Sequence, residues 1–486
     1  MLTPLIQRAQ PSEERGVTMP LVALSLVAIL SFAALSIDLG ALYEAKAEAQ
    51  RAADAAALAA AQVISTEGVT SDPSAGGLDG MWTQICGGPN SFASLAATNV
   101  AKQNLIGGTP ATQVNVYYGT SAGGVTNADC TTGVGAGFGI NPVVSVYVQQ
   151  ASLPNFFARI FSFINNATSS NSGVSATAFA EAFNPSNSGT YGAGGSVIPV
   201  QPRCVKPLIV PNQDPRHPIG CTSSTCVQFV NPTTGQIVTP GIFANSGVIG
   251  ERFFLQPDCA TTGTTCNLLP NNPPNGTPPV LQYVPGQTLN ASIAVPTNGP
   301  SPTCGFITSP YAQAIAGCDQ STVYQCGVPA GNEIDLSENP SFTASADTQN
   351  AIQCLTNQTT QSTASPSGQD VLFPGGPVPP SYPFQIQAGN FSPLVTAGIV
   401  TALNNITSSA SIVTLPIYDS YPGVPINGSG TTNVTVVGFL QVFINAVDAV
   451  NGVDVTVLNI SGCSNSATNP PVNGTSPVPV RLITPP

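Results

Sequence analysis

The chain has 486 residues and a net charge of −12, with only 11 lysines and arginines in total. So few basic residues exclude nucleic acid as a partner, because affinity for phosphate depends on clustered Lys and Arg. The length exceeds one ordinary domain, and the 42% hydrophobic content excludes general disorder. With 47 glycines and 46 prolines, the composition favours short strands and many turns.

The first element is an apolar helix. From Met19 to Ile37 there is no charged residue, and Pro20 lies in the first turn, where proline is tolerated. Such a stretch is long enough to cross a hydrocarbon core about 30 Å thick. We therefore predict a single membrane span whose apolar side chains face lipid: Leu21, Val22, Leu24, Leu26, Val27, Ile29, Leu30, Phe32, Leu35 and Ile37.

Nothing in the sequence ends this helix after Ile37. Ala, Leu, Gln and charged residues follow, most of them strong helix formers, and no proline occurs before Pro73. We predict one continuous rod over residues 19–64, on the order of 60 Å long at about 1.5 Å per residue. Its second half forms an Ala-rich stalk.

The stalk carries a stripe with alternating spacings of four and three, typical of a coiled-coil seam. Small alanines allow close helix approach but bury little area, so self-association through this stripe is expected to be weak. The stripe packs either within the chain or on a partner helix. Its members are Leu35, Leu39, Leu42, Lys46, Ala49, Ala53, Ala56, Ala60 and Val63.

The apolar stretch is longer than the core of a secretory signal peptide and continues without a break, which favours an uncleaved anchor. A type IV prepilin is the other interpretation, since Gly16 precedes the helix where a prepilin peptidase would cut. Leu21 stands where such signals carry Glu, which argues against cleavage at Gly16.

Several motif residues of this segment occur together in a fixed order. They are Glu14, Arg15, Gly16, Asp38, Gly40, Tyr43, Gln50, Ala53, Asp54, Ala55 and Ala56. With these residues the segment resembles the N-terminal segment of TadG-like proteins of tight-adherence (Flp) pilus assembly (the TadE/TadG-like segment). The resemblance implies a non-enzymatic protein of pilus assembly, anchored in the bacterial inner membrane.

Beyond the stalk, alternating and helical patterns predict a small α+β domain over residues 85–185. Residues 186–201, rich in Ser, Gly and Asn, are interpreted as a linker. Residues 202–486 are predicted to form a mainly-β, Gly/Pro-rich domain. In the first domain helices are predicted over 91–105 and 154–164, with strands over 113–118, 142–149 and 174–183. In the second, a helix is predicted over 392–404 and strands over 411–418, 432–447 and 453–460.

All twelve cysteines lie between Cys86 and Cys463, beyond the apolar helix. An even number in an exported segment indicates disulfides, whereas zinc would need CxxC spacing, which is absent. We therefore place residues 1–18 in the cytoplasm and the bulk of the chain, beyond the span, in the periplasm or another extracytoplasmic compartment. Spacing predicts four pairs, Cys86–Cys130, Cys221–Cys226, Cys259–Cys266 and Cys318–Cys326, and leaves the other cysteines unassigned.

Catalytic signals are weak. His217 is the only histidine and is expected in a surface turn, and no GxSxG elbow or nucleotide-binding loop is present. Some TadG-like proteins resemble von Willebrand A-type domains, whose metal site uses a DxSxS run. This sequence lacks that run. Glu333, Asp335 and Glu338 could bind calcium, although a solvated acidic turn is favoured. We predict neither a metal nor a cofactor.

These features predict a non-enzymatic component of Flp pilus assembly that presents an extracytoplasmic module to pilus or envelope proteins. The alternative is a surface adhesin that contacts other material and is not needed to build pili. An enzyme, detectable in a hydrolase screen of the soluble part, is the remaining alternative.

Overall fold

A computed structural model gives the architecture of the chain. It forms two compact units. The first contains residues 1–53, 101–114 and 147–177, and the second contains 54–100, 115–146 and 178–486. The residues that the structure describes are 18–73, 82–120, 124–134, 137–153, 172–190, 199–218, 221, 225–243, 246–257, 279–289, 293–295, 302–338, 347–358, 368–373, 383–420, 426, 430–448, 451–464 and 471–484.

Helix α1 is a single helix of 49 residues, Thr18–Thr66, which confirms the predicted continuous rod. Three serines interrupt its apolar half, and each donates its hydroxyl to a carbonyl one turn earlier. Ser31, for example, donates to the carbonyl oxygen of Val27 over 2.8 Å. The polar groups of this half are therefore satisfied within the helix, as a lipid environment requires.

In the first unit, three hydrogen bonds connect α1 to other segments of the same unit. Lys46 Nζ donates to the carbonyl oxygen of Ser175, and Gln50 Nε2 donates to that of Thr177 over 3.4 Å. On another face the backbone N–H of Gly107 donates to Glu48 Oε2 over 2.7 Å. Charged and amide side chains of the helix thus bind backbone groups of this unit.

The predicted helix over 91–105 appears as α3, Phe92–Gln103, after a short α2, Trp82–Cys86. The three strands predicted near it are also present, and the segment 154–164 lies outside the described residues. A five-stranded sheet has the order β18-β4-β3-β1-β2. Its members are β1 Gln113–Thr120, β2 Gly124–Asn127, β3 Pro142–Leu153, β4 Ser172–Ala182 and β18 Val480–Ile483.

Six strands of the second unit form a closed barrel. The barrel order is β13 Ile412–Tyr418, β15 Val436–Asp448, β16 Gly452–Gly462, β7 Arg252–Pro257, β8 Val280–Pro285 and β6 Leu208–Pro211. Four neighbouring pairs are antiparallel, whereas β6 with β13 and β7 with β8 are parallel. Valine, leucine, isoleucine and phenylalanine dominate the buried positions of the two longest barrel strands, β15 and β16.

Short strands and helices occur before, between and after the barrel strands in the sequence. Strand pairs are β9 Asn332–Asp335 with β14 Thr431–Val434, and β5 Val200–Pro202 with β17 Val472–Gly474. A three-stranded sheet contains β10 Val371–Phe373, β11 Gln385–Gln387 and β12 Asn405–Ile406. The helices are α4 Pro310–Ala316, α5 Asp347–Thr356 and α6 Pro393–Thr396.

The helix predicted over 392–404 is wrong beyond its first turn. Gly398 adopts φ +71°, and the N–H of Ile399 donates to the carbonyl oxygen of Leu394. This is the Schellman arrangement that ends helices, so α6 stops at Thr396. The fold class is confirmed as a long N-terminal helix followed by mixed, strand-rich structure with disulfides. The domain boundaries 85–185, 186–201 and 202–486 stay a prediction.

Among the described residues there are five disulfides. Cys86–Cys130 and Cys221–Cys226 are pairs that the spacing predicted. The predicted Cys318–Cys326 pair is wrong, because each of the two bonds a distant cysteine, and Cys259–Cys266 lies outside the described residues. The other three disulfides are Cys204–Cys318, Cys304–Cys354 and Cys326–Cys463.

Candidate functional site

The apolar half of α1 is exposed. All ten side chains predicted to face lipid are between 53% and 73% accessible. An 18-residue window of this helix has a mean hydropathy of 2.4 and is 6% buried, and no other helix in the described part of the chain is long and apolar enough to cross a membrane. A core helix would be buried, so this exposure is consistent with a membrane anchor.

The alanines of the predicted stripe in the stalk, in contrast, are buried. Ala49, Ala53, Ala56 and Ala60 of the predicted stripe have no accessible surface. Of the two alternatives left open by the sequence, packing within the chain is the one observed at these four positions. The stripe is exposed in its N-terminal part, where Leu35 and Leu39 are about half accessible and Lys46 is also exposed.

The end of the stalk is held by a polar junction, made of Ser65, Thr70, Asn184 and Asn459. Ser65 Oγ donates to the carbonyl oxygen of Val478 over 3.0 Å, and Asn459 Nδ2 donates to the carbonyl oxygen of Ser65. Asn184 Nδ2 donates to the carbonyl oxygen of Thr70 over 3.2 Å. All four junction residues are buried, so side-chain amides here replace water as partners of the backbone.

Glu67, directly after α1, is also buried. Burial raises the pKa of its carboxyl well above the ordinary value, although the backbone N–H of Phe384 donates to Oε2 over 2.9 Å and opposes the rise. The polar side chains at the end of the stalk are therefore both buried and hydrogen-bonded.

The family-motif residues are spread along the helix. Asp38 is buried, Tyr43 is 70% exposed, and a Cβ added at Gly40 would meet nothing within 4 Å. Glu14, Arg15 and Gly16 lie outside the described residues. Ala53 and Ala56 belong to the buried stripe, whereas Asp54 and Ala55 are partly exposed.

A cluster that the sequence did not reveal lies beside the barrel. His217 lies in a turn, as expected, but its side chain is only 12% exposed, and its Nδ1 lies 2.8 Å from Asp214 Oδ2 and 2.7 Å from Glu251 Oε1. Both carboxylates are completely buried. Burial alone would lower the pKa of the imidazole, but the attraction of the two neighbouring carboxylates outweighs it and raises this pKa to about 10. We call Asp214, His217 and Glu251 the His217 cluster.

Lys206 is a second buried charge. Its Nζ donates to the carbonyl oxygen of Gly317 over 2.6 Å, at the C-terminal end of α4, where the helix dipole favours a cation. Burial lowers its pKa to about 7. It lines a cavity of about 270 Å³ together with Gln441 and the Cys204–Cys318 disulfide.

The acidic turn considered for calcium is satisfied by its own chain. Asp335 Oδ1 accepts the backbone N–H of Ser337 over 2.9 Å, as in an Asx turn, and Glu333 is exposed. This geometry needs no ion, which agrees with the favoured interpretation of a solvated turn.

Comparison with known proteins identifies one segment. Residues 16–63 match the family model of Flp pilus-assembly TadE/G-like proteins. This confirms the resemblance on which the sequence interpretation depends, and it supports involvement in Flp pilus assembly. No curated protein and no solved structure matches the chain.

The match covers α1 from its start to the end of the stalk and about a tenth of the chain. The Tad-like family is generally non-enzymatic. The barrel, the five-stranded sheet and the His217 cluster therefore have to be interpreted from their own geometry.

Proposed function

We propose that this protein is a non-enzymatic, membrane-anchored component of Flp pilus assembly that presents an extracytoplasmic module to pilus or envelope proteins. The match of residues 16–63 to the TadE/G-like family carries the proposal. The exposed apolar half of α1 supports a single-pass anchor in the bacterial inner membrane, and the buried alanine stripe supports a stalk that is part of the folded module.

The disulfides support the orientation. Five are present among the described residues, and their cysteines all follow the apolar helix in sequence. Disulfides persist in oxidising compartments such as the periplasm and are rare in the cytoplasm. In this proposal residues 1–18 are cytoplasmic and the remainder of the chain, after its span, is periplasmic.

Partners are proposed to bind the module through its surface and short strand edges, and no nucleic acid is involved. β10, for example, is at the edge of its sheet, and its own residues Val371 and Phe373 are almost half exposed. An exposed strand edge can accept a strand from another protein. Self-association through the stalk would use only the exposed N-terminal end of the stripe, since the alanines below it are buried.

The assembly role is tested by deleting the gene and counting surface pili by electron microscopy alongside an adherence assay. We expect both to fall and to be restored by the wild-type gene. A deletion strain with normal pili and reduced adherence would favour the adhesin instead, and normal pili with normal adherence would remove both roles.

Orientation is tested separately by adding protease to spheroplasts. We expect the chain beyond α1 to be digested only after the outer membrane is opened, and to show disulfide-dependent mobility on non-reducing gels. Protection of the module in intact spheroplasts would contradict the proposed orientation.

A further inference from the structure

The His217 cluster is short of hydrogen-bond donors. One ring nitrogen, His217 Nδ1, faces two carboxylate oxygens at 2.8 Å and 2.7 Å. It carries at most one hydrogen and can donate it to only one of them. The oxygen of the other carboxylate then faces His217 Nδ1 with no hydrogen between them.

Asp214 has other donors, but Glu251 does not. Asp214 Oδ1 accepts the backbone N–H of Arg216 over 2.9 Å, and its Oδ2 accepts the hydroxyl of Thr239 over 3.3 Å. Among the described residues the oxygens of Glu251 face only His217 Nδ1 and the carboxylate of Asp214, and an ionised Asp214 has no hydrogen to donate. A buried carboxylate without donors is costly, so each such group needs an explanation.

Arg216 does not supply the missing charge. Its guanidinium carbon lies 4.9 Å from the ring centre of Phe243, and no ion pair joins it to Asp214 or Glu251 among the described residues. The ring of Phe243 is also packed edge to face with that of His217, with the ring centres 6.0 Å apart.

The donor atoms of the three side chains all lie within 4.8 Å of one another. Metal–ligand distances near 2.0–2.2 Å place two ligands of a tetrahedral ion about 3.4 Å apart. His217 Nδ1 lies 2.8 Å and 2.7 Å from the two carboxylate oxygens, so small side-chain shifts would admit one ion among the three. Two carboxylates, a neutral imidazole and one divalent cation together have no net charge. The ion would thus remove both the donor shortage and the repulsion between the carboxylates.

The ligands are held in place before any ion binds. Asp214 N donates to the carbonyl oxygen of Val227 over 2.8 Å, Val227 N donates to that of His217 over 2.9 Å, and the Cys221–Cys226 disulfide closes the same loop. Glu251 directly precedes barrel strand β7, and its carbonyl oxygen accepts the N–H of Val457, from strand β16, over 2.8 Å. An ion here would fix the loop to the barrel wall.

We propose that Asp214, His217 and Glu251 form a structural site for a divalent transition-metal ion such as Zn²⁺. A nitrogen ligand with two carboxylates suits Zn²⁺, whereas Ca²⁺ takes six to eight oxygens. This site is independent of the proposed role in pilus assembly.

The test uses the full chain in detergent, purified without a polyhistidine tag, treated with chelator and then dialysed against Zn²⁺ alone. We expect one Zn²⁺ per chain by elemental analysis. We expect Glu251→Gln to weaken Zn²⁺ binding by more than about 100-fold, since even loss of an outer partner costs 10–100-fold. Asp335→Asn, in the acidic turn, is the matched control and should bind as the wild type does.

Folding and binding are separated by measuring thermal unfolding of each protein with and without Zn²⁺. Because Glu251 lacks donors, Glu251→Gln should unfold at or above the wild-type temperature in chelator and show no rise with Zn²⁺. The wild type and Asp335→Asn should both rise. His217 is the sole histidine, so its modification by diethyl pyrocarbonate can be followed directly, and Zn²⁺ should protect it.

Three results would overturn the site. They are no Zn²⁺ retained by the wild type, equal retention by Glu251→Gln, and histidine modification that Zn²⁺ does not slow.

Discussion

Between Leu21 and Ile37 helix α1 carries large apolar side chains and leaves them exposed, whereas between Ala45 and Ala61 it carries alanines and buries most of them. In an ordinary water-soluble fold the large side chains would be inside. The exposure of the first half is therefore consistent with a membrane anchor. In the second half the small alanine side chains allow other parts of the same protein to pack closely against the helix backbone.

The two halves also treat polar groups differently. Serines in the first half bond only to their own helix, while Glu48, Gln50 and Ser65 in the second half bond to residues far away in sequence. One half is thus compatible with lipid along its whole surface, and the other is part of a folded protein. The following predictions separate these two roles.

The largest effect is expected from charging the apolar half. Arg at the centre of a span costs about 3–4 kcal/mol more than Leu on insertion scales, so Leu26→Arg with Leu30→Arg should cost about 6–8 kcal/mol and release the protein from membranes. Alkaline carbonate extraction measures this release. The double alanine variant at the same positions should stay in the membrane pellet, and retention of the double arginine variant would contradict an anchor.

In the buried half, Ala56→Glu should destabilise the folded module by several kcal/mol, on the order of 4, because it places an unpaired charge where no surface is accessible. Ala47→Glu makes the same change on the exposed face of the same helix and should have almost no effect. Limited proteolysis and thermal unfolding in detergent compare the two. Equal stability of both variants would argue against burial of the stripe.

A pH dependence is expected where the stalk ends. The pKa of Glu67 is raised in the folded state, so its stabilising contribution is complete below the unfolded pKa, near 4.5, and is lost as the pH rises through the folded pKa. Each unit of difference corresponds to about 1.4 kcal/mol. Glu67→Gln should therefore gain stability relative to the wild type as pH increases from 5 to 8. Parallel curves of unfolding free energy against pH would show that the carboxyl is not perturbed.

The smallest effect is expected for the surface contact of Glu48 with the N–H of Gly107. Glu48→Ala should cost at most about 1 kcal/mol, because the bond is partly open to water. Glu44→Ala, an exposed neighbour on the same helix, provides the baseline. A loss of several kcal/mol at Glu48 alone would show that this contact matters more than its exposure implies.

Local patterns explain what could be predicted. Uninterrupted helix formers predicted α1, period-two alternation predicted β3 and β4, and short spacing predicted Cys221–Cys226. Helix α6 shows the limit of this approach, because helical spacing cannot indicate that Gly398 will adopt a left-handed conformation.

Distant partners could not be predicted. Cys326 bonds Cys463 over 137 residues, and the barrel joins β6 to β13 across about 200 residues. Asp214 and His217 share one turn, and their spacing was visible, but Glu251 gave no signal because only the barrel brings it there. The anchor could therefore be identified from the sequence, whereas the His217 cluster could not.

The polar junction also constrains the order of events during synthesis. Ser65 bonds to Val478, which follows it by 413 residues, and to Asn459. At about 5–20 residues per second, roughly 20–80 s pass between translation of the stalk and of these partners. Throughout that interval Ser65, at the end of the stalk, lacks the partners that hold it in the folded protein. A protein cut short before Asn459 would therefore lack the polar junction at the end of α1.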